Sequence, residues 1–274
     1  YCTSVTESIA IGRRALRGDG STAPTGDYNI AIGNFALDAT TTGANNNAIG
    51  YEAGTAIIDG SYNDLHGYRA GYAITSGVRN ICIGGYAGDA LNAENYNVAI
   101  GYAALSTETS SSGNVAIGYD ALFDQNVASA NNVAVGFQAA TNLTSGTDSV
   151  YVGYLAGGVG VITGDDNVCI GKSAALNATN MATSVFVGSG AGGAGLNVAA
   201  DNVAIGTLAG NSITSGASNV FIGRDAGKLV DTGSNNVAIG LNAFDASDSA
   251  ELYNVAIGTN ALGTESSAAI GCVA

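Results

Sequence analysis

The chain is short of the residue types on which catalysis and nucleic-acid binding usually depend. Its 274 residues include one His, one Pro and one Met, and only 8 Lys and Arg against 22 Asp and Glu. A single His leaves base catalysis with few candidates, and no Ser-His-Asp set can be assembled. The net charge of −14 removes the basic patch that nucleic acid or an anionic membrane surface requires. No strongly apolar stretch of membrane-spanning length occurs. The uncharged segment 173–200 is instead rich in Gly, Ser, Asn and Thr, so membrane insertion is not expected. The four Cys include no Cys-x-x-Cys pair of the metal-binding kind. The calcium-binding nonapeptide pattern and the Thr-x-Thr rows of ice-binding solenoids are also missing. Gly is abundant, at 41 residues, but follows no collagen period.

What the chain does have is a repeat. A Gly followed three residues later by Ala occurs sixteen times, at Gly12, 33, 50, 67, 84, 101, 118, 136, 153, 171, 188, 206, 223, 240, 258 and 271. The spacing is 21, then 17 or 18 throughout, then 13. Self-similarity at a short fixed period means one structural unit stacked on copies of itself. A typical unit reads Asn114-Val115-Ala116-Ile117-Gly118-Tyr119-Asp120-Ala121-Leu122. The residue before the Gly is Ile or Val in all units but one, where His66 stands, and two residues earlier Val or Ile recurs except at Asn47, Asp64 and Ala268. Apolar β-branched residues two apart share one side of a strand. They are therefore expected to form an inner aliphatic column. Gly in every unit interrupts any helical period, so a helical solenoid is excluded.

Four residues before each Gly stands Asn, or Ser in four units. Asn side chains stacked at strand spacing can form a hydrogen-bonded ladder and satisfy turn backbone groups. The repeating Gly predicts a bend that a Cβ would block, and the Ala three residues on predicts an inward position with space for one methyl. A third apolar site follows at Ile74, Leu91, Leu143, Ile213 and Val230, before Gly-containing turns such as Thr75-Ser76-Gly77. The fold class expected is all-β, a β-solenoid of about sixteen coils of 17–18 residues. It is read as one domain over 1–274, a rod about 75–80 Å long at roughly 4.8 Å per coil.

The Asn-Val-Ala-Ile-Gly core, as at 97–101, 114–118, 202–206, 236–240 and 254–258, resembles the repeats of trimeric autotransporter adhesin heads and of phage tail fibres. In such heads the units form parallel β-rolls that associate as trimers. The resemblance therefore implies an extracellular, cell-surface or virion-surface protein whose main partner is itself, with surface glycans as a second class of partner.

The residue between the two β-branched positions is Ala in ten units but Leu65, Cys82, Tyr151, Cys169, Phe186 and Phe221 in the others. A column that accepts both Ala and Phe is expected outside, as an apolar stripe for lateral packing in which Tyr151, Phe186 and Phe221 are the prominent contacts. The competing reading has the longer turns folding over it. End-to-end stacking is expected from a basic first coil (Arg13, Arg14, Arg17) and an acidic end (Asp245, Asp248, Glu251, Glu265), with Cys2 and Cys272 as a candidate intermolecular disulfide. Cys82 and Cys169 sit in one column too far apart to pair, and are expected as small apolar residues.

No catalytic residue, cofactor or metal is assigned. The nearest approach to a metal site is the cluster of Asn47, Asp64 and His66; two readings weigh more than metal binding, a coil flipped to put Leu65 inside and a local bulge. Residues 188–193 fit Gly-x-Gly-x-x-Gly but lack the helix and acidic residue of a dinucleotide site. Tyr51, Tyr68, Tyr102, Tyr119, Phe137 and Tyr154 follow the Gly, as a stack that stiffens the corner or as a ladder for sugars. The function expected is that of a non-enzymatic fibre or filament subunit. The alternative is a receptor- or glycan-binding segment of an adhesin head or tail fibre.

Overall fold

The computed structural model describes residues 7–21, 23–107, 110–124, 131–158, 160–193, 195, 200–245, 251–263 and 271. Among these residues there is no helix, and every strand is three residues long. The chain is a β-solenoid. It divides into two compact units, residues 1–135 and 136–274. The first holds β1 (Ile9–Ile11), β2 (Ile30–Ile32), β3 (Asn47–Ile49), β4 (Asp64–His66), β5 (Ile81–Ile83), β6 (Val98–Ile100), β7 (Val115–Ile117) and β8 (Val133–Val135). The second holds β9 (Val150–Val152), β10 (Val168–Ile170), β11 (Val185–Val187), β12 (Val203–Ile205), β13 (Val220–Ile222), β14 (Val237–Ile239) and β15 (Val255–Ile257). Fifteen strands are seen for sixteen Gly-Ala units because the strand positions of the last, 268–270, lie outside the described residues.

Within each unit successive strands pair in parallel and in strict register. Ala99 lies opposite Ala116 in the first unit, and Cys169 opposite Phe186 in the second. Each strand is one coil's contribution to the sheet, so the 17–18-residue period becomes a parallel ladder without any crossover helix.

The facing of the strands is the reverse of the sequence expectation. Val115 and Ile117 lie half-exposed on the outer face, while Ala116 between them is fully buried. In fourteen of the fifteen strands the middle residue is buried and its two neighbours are not; β1 is exposed throughout. Tyr151, Phe186 and Phe221, expected as lateral contacts, are therefore among the largest side chains of the interior, each 0 % exposed. Because strand side chains alternate with a period of two, one wrong choice of face inverts every position.

The interior tolerates both Ala and Phe in this column because a second column compensates. The fourth residue after the corner Gly also points inward. Where the strand centre is Ala31, Ala99, Ala116 or Ala238, the partner is Leu37, Leu105, Leu122 or Phe244, all fully buried. Where it is Leu65, Cys82, Tyr151, Phe186 or Phe221, the partner is Gly71, Gly88, Gly157, Gly192 or Gly227. A Cβ on those five Gly would come within 2.5–2.8 Å of the opposing side chain. The third aliphatic site closes the core where the partner is small: Ile74, Leu91, Ile213 and Val230 are fully buried. Two coils pair Ala with Gly, Ala48 with Gly54 and Ala204 with Gly210, and there the third site and the neighbouring coils fill the space: a Cβ on Gly54 would meet Leu65, Leu37 and Ile57, and one on Gly210 would meet Ile213 and Phe221.

The turns are stabilised by backbone bonds between coils. Thirty-six described non-Gly residues have φ between 48° and 63°, and all fall in three columns: five before, two after and four after the corner Gly. A left-handed residue costs about 1–2 kcal/mol. The offset is that its N–H points along the stack. Asp120 N–H donates to Tyr102 O at 3.0 Å, Leu105 N–H to Ala121 O at 3.0 Å and Tyr96 N–H to Val78 O at 3.1 Å. The corner Gly is needed for a different reason. Gly101 has φ +135°, and a Cβ there would lie 2.3 Å from the carbonyl oxygen of Gly118 in the next coil.

The Asn ladder forms as expected. The backbone N–H of Asn80 donates to Asn63 Oδ1 at 3.0 Å, Asn80 Nδ2 donates to the same oxygen at 3.1 Å, and Asn80 Nδ2 also reaches the turn carbonyl of Glu94 at 2.8 Å. Ser substitutes by accepting once: Asn167 N–H donates to Ser149 Oγ at 3.0 Å. Each buried amide thus joins its own strand, the neighbouring Asn and the next turn. The conserved-size Ala column is inward too, with Ala36, Ala53, Ala70, Ala87 and Ala104 all fully buried.

Candidate functional site

Two surfaces stand out, both generated by the repeat. The first is the outer face of the sheet. Its two columns are Val and Ile from the strand edges, with several Ile side chains 36–60 % exposed. In the second unit the wall is uninterrupted from Val150 and Val152 to Val255 and Ile257. Its fourteen half-exposed aliphatic side chains present on the order of 600 Å², at or above the largest apolar patch of an ordinary monomer. Exposed Asp148, Asp166 and Asp201 run along one edge of this wall, and Lys172 and Arg224 stand on the other.

In the first unit the wall is broken by the three polar residues singled out from the sequence. Leu65 is inside and the coil follows the common path, so neither a special flip nor a bulge is needed. Asn47, Asp64 and His66 project outward together. Asn47 Nδ2 donates to Asp64 Oδ1 at 2.8 Å, and His66 Nε2 lies 2.9 Å from both Asn47 Nδ2 and Asp64 Oδ1. Asn47 turns its amide nitrogen, a donor with no lone pair to offer, toward the other two, so only Asp64 and His66 of this cluster present metal-ligating atoms. No group of three or more His, Cys, Asp or Glu that could hold a metal ion occurs among the described residues. The three residues bond to one another and leave a polar island in an apolar wall.

The second surface is an aromatic column on the corner. Tyr51 and Tyr68 stack at 5.5 Å, as do Tyr102 and Tyr119, and in the second unit Phe137 and Tyr154 stack at 5.4 Å. At Gly85 the column lacks a ring, and Tyr86 from the next position steps in, edge-on to Tyr68 at 5.2 Å and to Tyr102 at 5.7 Å. A hydrogen bond with Tyr86 raises the pKa of Tyr68, and one with Glu52 raises that of Tyr51.

Arginines lie on these rings. The Arg69 guanidinium is 3.9 Å from the Tyr72 centroid and 5.8 Å from that of Tyr86. Arg79 lies 5.5 Å from Tyr62 and from Tyr96, and its Nη1 donates to the Tyr96 hydroxyl at 2.9 Å. Arg13 and Arg14 lie over Phe35 at 4.6 and 5.1 Å. These contacts escaped the sequence reading, although Tyr62, Arg79 and Tyr96 sit one period apart and carry the signal. Arg14 and Arg17 also pair with Asp38 of the second coil, each at 2.9 Å, so much of the basic charge of the first coil is engaged within the chain. At the acidic end Glu251 is turned inward, 1 % exposed, while Asp248 and Glu265 lie outside the described residues.

Cys82 and Cys169 are free, as expected, but they are fully buried with the rest of a column expected outside. Burial pushes the Cys82 thiol up to about 12 and raises that of Cys169 further, so neither is a nucleophile at neutral pH. Cys2 and Cys272 lie outside the described residues. The Gly-x-Gly-x-x-Gly stretch is accounted for by the coil: Gly188 is a corner, and Gly192 makes room for Phe186.

No protein-family model and no curated protein matches this chain.

Proposed function

We propose that this chain is a non-enzymatic structural protein of extracellular fibres, a solenoid that associates with copies of itself through the outer Val/Ile wall. One observation carries the reading: the Val and Ile of the strands point away from the core and form an apolar face that is unbroken through the second unit. A solenoid selected for isolation would place polar residues there. A strip on the order of 600 Å², with its flanks, approaches the roughly 800 Å² per partner of a standard stable interface.

Charge favours a parallel arrangement. Asp166 and Lys172 stand on opposite edges of the same coil. Two walls related by a two-fold axis along the stack would bring the acidic edge of one copy against the basic edge of the other, whereas antiparallel copies would oppose like edges. The end-to-end contact assigned to Cys2 and Cys272 adds nothing here, and the reading rests on the lateral face alone.

The test is sedimentation velocity of the purified chain beside Val187→Lys/Ile205→Lys/Ile222→Lys, three changes on the outer face. The unmodified chain is expected to sediment as oligomers or bundles, and the triple variant as single chains with an unchanged β-sheet circular dichroism spectrum. Single chains from the unmodified protein at high concentration would overturn the proposal.

A further inference from the structure

The aromatic column on the corner is a surface separate from the lateral wall. The left-handed position two residues after the corner Gly holds Arg14 in the first coil and Arg69 in the fourth, with φ 60° and 55°. Each places its guanidinium near the aromatic residue at the same position one coil on, Phe35 for Arg14 and Tyr86 for Arg69, at 5.1 and 5.8 Å. In the sixth coil this position is Ala103, with φ 50° and 5 % exposed. No side chain from it covers the next stretch of rings. What stands there is an open cavity of about 360 Å³ lined by Tyr86, Tyr102, Tyr119 and Phe123, with Ala103, Ser106 and Asp120.

We propose that this cavity binds an organic cation of the alkylammonium or guanidinium class, which takes the place that an arginine occupies in the first and fourth coils. Three features favour a cation over an anion or a neutral sugar. The rings present negative π-faces, and Tyr86 already has a guanidinium, that of Arg69, 5.8 Å from its centroid. The polar lining is acidic, since Asp120 borders the cavity and Ser106 is hydrogen-bonded to the Asp89 carboxylate. The walls are also set at an angle, Tyr86 standing 76° to Tyr102, which encloses a compact group better than a flat platform would. The volume lies at the small end of ligand pockets, suited to a headgroup rather than a chain.

The test titrates the full chain with choline, with arginine methyl ester and with methyl glucoside, read by calorimetry and by tyrosine emission, which no tryptophan obscures. Choline and the arginine ester are expected to saturate with a Kd of about 1 mM or tighter, and the glucoside to bind at least tenfold more weakly. Ala103→Arg supplies the cation from within and is expected to abolish binding. Tyr102→Leu, which copies Leu241 of the same column, is expected to weaken it more than tenfold, and Asp120→Asn severalfold. Should Ala103→Arg fail to fold, Tyr102→Leu still decides. No saturation by choline at about 50 mM, glucoside binding as tight as choline binding, or full affinity retained in Tyr102→Leu would each overturn the proposal.

Discussion

Phe221 and Gly227 face each other across one coil so closely that a Cβ on Gly227 would lie 2.5 Å from Phe221 Cδ1. The pair shows how the interior is specified. In this coil neither residue can change alone without leaving a clash or a void.

The two positions should therefore be exchangeable. Gly227→Ala is expected to destabilise the chain by about 2–3 kcal/mol through overpacking at a left-handed residue, and Phe221→Ala by about 3–5 kcal/mol through the cavity it leaves. The double variant Phe221→Ala/Gly227→Leu, which copies Ala31 with Leu37, is expected to recover a coupling energy of about 2 kcal/mol. Denaturant unfolding of the four proteins measures it, and simple additivity would contradict the compensation.

The Asn ladder yields a second prediction. Asn219 donates to Asn202 Oδ1 at 3.1 Å and to Gly233 O at 2.8 Å, and its Oδ1 accepts the backbone N–H of Asn236 at 3.0 Å. Asn219→Ala strands that N–H and that carbonyl in a buried site, at a cost of about 2–4 kcal/mol. Asn219→Ser should cost less than half as much, because Ser149 and Ser184 serve in this column elsewhere. Amide hydrogen exchange at Asn236 should speed up strongly in the first variant and modestly in the second.

A third concerns alkaline pH. The Cys82 thiol is raised from 9.0 to about 12 by burial, and Cys169 is raised for the same reason. The unfolded chain releases these protons above pH 9 while the folded chain keeps them. Folding stability from this source is complete below pH 9 and is lost as pH rises from 9 to about 12. Cys82→Ala/Cys169→Ala places in both sites the residue that ten units carry, and its melting temperature should fall less steeply across that window. Identical slopes for the two proteins would rule the account out.

The period, the ladder and the corner were readable from the residues because each rests on a local, repeated requirement. Only Gly survives a carbonyl at 2.3 Å, and an Asn amide accepts from the next coil while donating to both a neighbouring Asn and a turn carbonyl. That Cys82 and Cys169 stay unpaired followed from their separation along one column, but their burial did not, because that column was expected outside. The polar island of Asn47, Asp64 and His66 was found as a group, and its outward facing was one of the alternatives, with Leu65 inside; its hydrogen bonds were not foreseen.

Other features could not be read that way. Val-Ala-Ile offers apolar residues to both faces of the strand, so hydrophobicity could not say which face is inside, and the bulkier pair was assigned to the core. The structure places the pair outside, because the space between the strand and the opposite wall is shared with the left-handed residue six positions on from the strand centre, and Phe221 fits only because residue 227 is Gly. By itself the sequence determined a β-solenoid of 17–18-residue coils, through constraints that act between identical positions one period apart. Tertiary structure alone decided the facing, the cation-bearing rings and the cavity beside Ala103, because those depend on volumes and charges summed across different columns.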